Sequence, residues 1–228
     1  MRTSEKLKTQ KFKLIMFDLD GTLVDSVPDL AFAVDAMLCE LGRPKAGIEQ
    51  VKLWVGNGAL MLVKRALSKN MTPIEIDPLF LDKAMTLFFE FYRQVNGSKS
   101  RLYPQVLQTL KKLRQITPYL ALVTNKPTQF TQPLLDHHDL PPFDLVVCGD
   151  TLLTKKPDPA QLLYCLETLH CLPEESLMVG DSVSDINAAK SAKVNMICVN
   201  YGYHQGHNLS TFKPDHIISS FEELMLHI

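Results

Sequence analysis

Several things are missing from this chain of 228 residues, and each absence narrows the field. Neither sign of charge is in excess, with 24 lysines and arginines against 25 aspartates and glutamates. That balance gives no electrostatic footing for a polyanion or an anionic membrane surface, so neither nucleic acid nor membrane is expected as a partner. No apolar segment approaches the ~18 residues of a membrane span. The opening MRTSEKLKTQKFK is polar and basic and lacks the apolar core of a secretory signal, so residues 1–12 are expected to form a polar tail. The five cysteines, Cys39, Cys148, Cys165, Cys171 and Cys198, include no C-x-x-C pair, and two of them lie inside apolar runs. They read as reduced thiols of a cytoplasmic protein. No histidine stands at metal-ligand spacing: His137 and His138 fall at an expected helix end, His204 and His207 in a loop. No internal repeat or low-complexity tract is present.

What is there begins with 46% hydrophobic residues, enough for one large domain or a domain carrying a substantial insertion. The most informative stretch is Lys13 to Thr22, KLIMFDLDGT. Its apolar run, Leu14-Ile15-Met16-Phe17, reads as a strand buried on both faces. Asp18 and Asp20 follow at once, where the strand leaves the sheet. In open α/β sheets ligands bind at that carboxyl end, and two carboxylates there are costly unless they meet a cation or do chemistry.

Further strands are expected at 119–124, 143–148, 176–180, 195–200 and, more weakly, 216–219. Helical patterns lie between them at 105–115, 127–138, 157–170 and 184–193. Strands alternating with helices imply βαβ units and a parallel sheet covered on both faces, an α/β fold. Residues 26–100 break the rhythm, because only helices are expected there, at 28–41, 48–55, 59–69 and 78–95. So many helical residues exceed what one crossover needs. The expectation is a helical cap over 26–100, inserted into a core of 13–25 and 101–228. One linker falls near Leu23 to Ser26. The other is Asn96-Gly97-Ser98-Lys99-Ser100, whose composition suits a flexible joint. Both flank the first strand's acidic end, so the insertion is expected to cover the site as a lid.

Later strands also end in polar residues. The second ends in Thr124-Asn125 and the fourth in Gly180-Asp181, with Asp185 beyond it; Lys155-Lys156-Pro157 follows the third. Taken alone, Thr124 is as well explained as a helix cap, and Lys156 as a solvated loop residue. Together they converge on one sheet edge. The full set, Asp18-x-Asp20-Gly21-Thr22, Thr124, Lys156-Pro157 and Gly180-Asp181-Ser182-x-x-Asp185, resembles the four signatures of the haloacid dehalogenase superfamily. Within it the chain is more closely similar to the phosphoglycolate phosphatase family. The residues carrying that likeness are Leu23 to Leu30, Trp54-Val55-Gly56-Asn57-Gly58, Val123 to Thr128, and Tyr201-Gly202-Tyr203.

The resemblance implies a Rossmann-like sheet of order 5-4-1-2-3, counting expected core strands along the chain, with a helical cap. It also implies phosphomonoester hydrolysis through an aspartyl-phosphate, with 2-phosphoglycolate yielding glycolate and phosphate. Asp18 is the implied nucleophile, and Asp20 first protonates the leaving group and then activates water. Thr124 and the Asn125 amide hold phosphoryl oxygens, and Lys156 supplies a fixed positive charge. Asp18, Asp181 and the Asp20 carbonyl are implied metal ligands, with Asp185 direct or one shell further out. Charge counting supports a metal: four carboxylates and a dianionic substrate repel by about 4 kcal/mol per pair at ~4 Å and an effective dielectric near 20. A hard oxygen-ligated ion such as Mg²⁺ offsets this.

The leaving group is left to the lid. Gly56, Asn57 and Gly58 are the candidate residues there, because glycines let backbone amides approach a small carboxylate. Lys64 or Arg65 follow on the next helix as possible carboxylate partners. Alternatives on the same core are another small phosphoester, pyrophosphate or a sugar phosphomutase reaction. The intact Asp18, Asp20, Thr124, Lys156 and Asp181 argue against a non-catalytic binding module. The expected partner is a small phosphorylated metabolite, and monomer and homodimer are equally compatible with the sequence. One departure from the family pattern is Lys193, where a glycine is expected at a left-handed helix end.

Overall fold

Strand β1 (Leu14–Phe17) consists entirely of large apolar side chains, and all four are buried. It sits near the middle of a parallel six-stranded sheet in a computed structural model that describes residues 12–228. The expected tail therefore lies outside the described residues, except Phe12, which is buried in the core. The other strands of this sheet are β4 (Tyr119–Val123), β5 (Leu145–Val147), β6 (Ser176–Gly180), β7 (Asn195–Val199) and β8 (His216–Ile218). Their order is β5-β4-β1-β6-β7-β8. This is the order the resemblance implies for five strands, extended by β8 at the far edge.

Alternation along the strands gives the sheet two apolar faces. Ile15, Phe17, Leu120, Leu122, Leu177 and Val179 pack on one side, against α5 (Val106–Ile116) and α6 (Thr128–His137). Leu14, Met16, Ala121, Val123 and Met178 pack on the other, against α7 (Ala160–Thr168) and α8 (Val183–Ala192). The third helix expected in the core begins at Ala160 rather than Pro157. There Asp158 accepts hydrogen bonds from Thr154 Oγ1 and the Ala160 amide, holding a turn where the sequence suggests helix. Lys193 adopts the left-handed conformation (φ 59°, ψ 26°) at the end of α8, a lysine in a glycine's place.

Four helices, α1 (Val27–Glu40), α2 (Ile48–Trp54), α3 (Ala59–Ser68) and α4 (Pro78–Val95), surround an apolar cluster of their own that includes Trp54 and Phe88. Phe130 of α6 and Tyr203 join this cluster from the sheet side. The chain enters and leaves these helices through a two-stranded antiparallel ribbon, β2 (Val24–Asp25) against β3 (Arg101–Leu102). The segment that composition marks as a flexible joint is clasped. The buried Asp29 carboxylate accepts hydrogen bonds from the amides of Gly97, Lys99 and Ser100 at 2.9, 2.8 and 3.2 Å. No described helix is long and apolar enough to cross a membrane.

Candidate active site

Register determines which side chains meet. Phe17 lies level with Leu122 of β4 and Val179 of β6. Asp18, Thr124 and Asp181 therefore leave the sheet within a residue of one another, at its carboxyl edge. Gly21 makes room for the turn that follows: its φ is +90°, and a Cβ there would stand 2.2 Å from Asp181 Oδ2. Gly180 is needed for a similar reason, because a Cβ on it would lie 2.5 Å from the Asp185 carboxyl carbon.

Lys156 is the electrostatic centre of this edge. Its ammonium lies 2.9 Å from Asp18 Oδ1 and 2.7 Å from Asp185 Oδ1, and donates to the Val123 carbonyl at 2.6 Å. Two carboxylates and a carbonyl thus surround its charge. Burial works against the charge of Lys156, but Asp18 and Asp185 outweigh it and hold its pKa above the ordinary lysine value. Asp185 spends its second oxygen on the Ser182 amide and hydroxyl, at 3.0 and 2.6 Å, in a reciprocal cap at the start of α8. Asp181 accepts from Thr22 Oγ1 at 2.9 Å and from the Tyr203 amide.

Asp18, Asp181 and Asp185 each offer an oxygen within 4.8 Å of the others, and all three are buried. Burial pushes Asp18 up to about 7, opposed by Lys156 and reinforced by Asp185. Burial also raises Asp181 well above the carboxylate range, with Asp18 and Asp185 adding to the effect. A single ammonium leaves these acids short of positive charge. All-oxygen, buried and electron-rich, the donor set fits a hard divalent cation.

Asp20 has different surroundings. Its carboxylate lies 3.0 Å from Lys126 Nζ, and that ammonium also bonds the Tyr92 hydroxyl from α4. Thr124 Oγ1 accepts from the Lys126 amide at 3.2 Å, and the Asn125 side chain donates to the Lys156 carbonyl at 2.8 Å. Asp18, Asp20, Thr124, Asn125 and Lys126 form the floor of a cleft. The helical side roofs it with Gly56, Gly58, Leu62, Phe88 and Tyr92, among others.

A model of the family described as haloacid dehalogenase-like hydrolase matches residues 15–199. The chain belongs to this family. Among relatives of this hydrolase, a phosphoglycolate phosphatase of Pseudomonas putida is 46% identical over 93% of this chain and 78% of its own length. One from Nitrosococcus oceani is 43% identical over 93% of this chain and 94% of its own. The crystal structure of a predicted phosphoglycolate phosphatase from Haemophilus somnus superposes with a TM-score of 0.87 at 36% identity, covering 95% of this chain and 98% of that one.

Two residues on the helical side of the hydrolase are placed differently from the sequence expectation. The Asn57 side chain does not line the cleft. It donates to Ser184 Oγ at 2.9 Å and accepts from Arg65 Nη2 at 2.8 Å and Gln205 Nε2 at 3.2 Å. Arg65 pairs with no carboxylate among the described residues. Its guanidinium holds the Trp54 carbonyl at 2.7 Å, the Met71 carbonyl at 3.1 Å and Asn57, bracing the loop from inside the bundle. Gln205 also donates to the Val55 carbonyl at 2.6 Å, tying the loop to the sheet side. Gln161 also matters to this edge. Buried in α7, it donates to the carbonyls of Thr124 and Cys148 at 3.2 and 2.8 Å and accepts from the Lys156 amide at 3.1 Å. Three sheet-end segments are thereby held in one arrangement. A glutamine inside an amphipathic helix pattern carries no signal of such a role. Lys126 lies within the segment Val123 to Thr128 that carries the family likeness, and nothing local in the sequence marks it as buried.

Proposed function

We propose that this hydrolase is a Mg²⁺-dependent, cytoplasmic phosphatase of small phosphomonoesters, with 2-phosphoglycolate as substrate and glycolate and phosphate as products. Asp18 attacks phosphorus and forms an aspartyl-phosphate while the alkoxide leaves. Asp20 protonates that alkoxide and then, as a carboxylate, takes a proton from the water that attacks the intermediate. Thr124 and the Asn125 amide orient phosphoryl oxygens. Lys156 fixes Asp18 for attack and offsets charge behind it. Asp18, Asp181, Asp185 and the Asp20 carbonyl would hold the cation, which when bound supplies positive charge for the phosphoryl oxygens. Residues 26–100 serve as a lid whose Gly56–Gly58 backbone faces the leaving group and excludes water.

The observation that carries this reading is the division of charge at the sheet edge. Asp18 is held by Lys156 inside an acid-rich pocket, and Asp20 is held apart by Lys126. One carboxylate is thereby fixed for attack, and the other is free to handle protons over the same cleft. The names of the relatives support the leaving group. A substrate panel with free-phosphate readout tests it. The expected result is a kcat/KM for 2-phosphoglycolate above those for sugar phosphates and pyrophosphate, abolished by EDTA and restored by Mg²⁺. No advantage over the panel overturns the glycolate assignment, and activity that survives EDTA overturns the metal dependence.

A further inference from the structure

The cleft needs a partner for the negative end of its leaving group, and the charged side chains around it leave little choice. Asp18 and Asp20 contribute negative charge to the floor, and the roof contributes apolar side chains and the backbone of Gly56 and Gly58. Lys156 is enclosed by Asp18, Asp185 and the Val123 carbonyl. Arg65 is committed to Trp54, Asn57 and Met71 inside the bundle. Among the described residues that line the cleft, Lys126 is the one cationic side chain.

We infer that Lys126 is the specificity-determining residue that binds the substrate's carboxylate, an inference that rests on the small phosphorylated acid read above. Its position suits the task. It follows Thr124 by two residues, on the turn leaving β4, so its distance from the phosphoryl pocket is fixed by the sheet. Its ammonium meets one carboxylate, Asp20, at 3.0 and 3.3 Å, and one phenol, Tyr92. The same ammonium lies over the Tyr92 ring, 4.7 Å from its centroid, which steadies it against the lid. Its three protons meet both Asp20 oxygens and the Tyr92 hydroxyl, so a second carboxylate entering the cleft finds the charge and takes over one of these donors. Tyr92 stacks with Phe88 and packs against Phe130, so α4 and α6 form a wall that keeps the ammonium pointed at the cleft. An uncharged leaving group would gain no charge pairing from Lys126. A carboxylate one methylene from the phosphate ester gains a charge-assisted hydrogen bond in a water-poor site.

The experiment compares 2-phosphoglycolate with 2-phosphoglycolamide, its uncharged amide, in wild type, Lys126→Met, Lys126→Gln, Lys126→Arg and Lys155→Ala. The readout is the ratio of kcat/KM for acid over amide, so that any change to Asp20 cancels. Wild type is expected to prefer the acid. Lys126→Met and Lys126→Gln are expected to lose roughly ten- to hundred-fold of that preference, the range for a hydrogen bond to a charged group. Lys126→Arg should retain most of it, and Lys155→Ala, altering a lysine that reaches Gly58 at the rim, should leave it unchanged. Circular dichroism identifies any variant that fails to fold, and the remaining substitutions carry the comparison. A preference that survives both neutral substitutions, or that falls with Lys155→Ala instead, overturns the role of Lys126 and leaves the substrate reading standing. A wild type indifferent to the carboxylate overturns both.

Discussion

Asp18 and Asp20 are two residues apart, yet different lysines hold them: Asp18 lies 2.9 Å from Lys156 and Asp20 lies 3.0 Å from Lys126. Substitution should separate the two acids kinetically. Asp18→Asn keeps the shape and removes the proposed nucleophile, so turnover is expected to fall by roughly 10⁴- to 10⁶-fold, as when other covalent nucleophiles are removed. The variant should fold, since an amide in that buried place is less costly than an unpaired charge. Asp20→Asn should slow both leaving-group release and dephosphorylation by roughly 10²- to 10⁴-fold. Rapid-quench single turnover checks this, and a variant slowed in neither half-reaction would contradict the assignment. The two aspartates were legible in the sequence because each sits beside an apolar run that dictates a buried strand. Lys126 and Arg65 were not. A lysine or arginine in a sequence gives no sign of burial, and the carboxylate that holds Lys126 is 106 positions away. Only the fold brings that pair together.

Whole elements were legible where periodicity is long. The run LIMF and the alternating helices of the core follow from it, and so does the helical stretch between the first two expected core strands. The β2–β3 ribbon was not legible, because strands of two residues have no period to detect. Nor does composition reveal the Asp29 clasp: Asn-Gly-Ser-Lys-Ser reads as loose when the carboxylate that orders it lies 68 residues earlier. Removing that carboxylate in Asp29→Ala orphans three amides, and we expect a loss of about 2–4 kcal/mol. That corresponds to a fall of roughly 5–15 °C in Tm for a chain of this size. Thermal unfolding checks it, and a change under ~2 °C would mean that water replaces the clasp at little cost. The Gln205 tie is expected to behave differently. Gln205→Ala removes bonds to the Val55 carbonyl and Asn57 Oδ1 that cross from the sheet side to the helical side. At about 1 kcal/mol each, their loss should lower kcat/KM about 5- to 30-fold while leaving Tm nearly unchanged, because each side keeps its own apolar cluster. A fall in Tm with normal kinetics would make the tie structural only.

At the scale of the molecule, the acidic edge sets how stability responds to pH and to metal. Asp18 faces Lys156, Asp185, Asp20 and Asp181, and burial raises its pKa from 3.8 to about 7. Asp181, facing Asp18 and Asp185, is raised in the same direction. Without a cation the folded chain then holds protons that the unfolded chain has already released. The slope of unfolding free energy with pH is proportional to protons bound unfolded minus protons bound folded, which is negative across this window. This edge is therefore expected to cost stability progressively as pH rises from about 4 to about 7, with no further loss from Asp18 above that. Metal binding requires the deprotonated acids, so the cation should recover what the rise in pH removes. The expected observation is a Tm difference between Mg²⁺ and EDTA that is small near pH 5 and grows toward pH 8. Asp18→Asn should flatten both the EDTA curve and the difference, since it removes one titrating acid proposed to hold the cation while sparing the rest of the fold. A metal effect independent of pH, or one equal in wild type and Asp18→Asn, would place the cation away from Asp18 and disconnect the buried acids from the chemistry proposed for them.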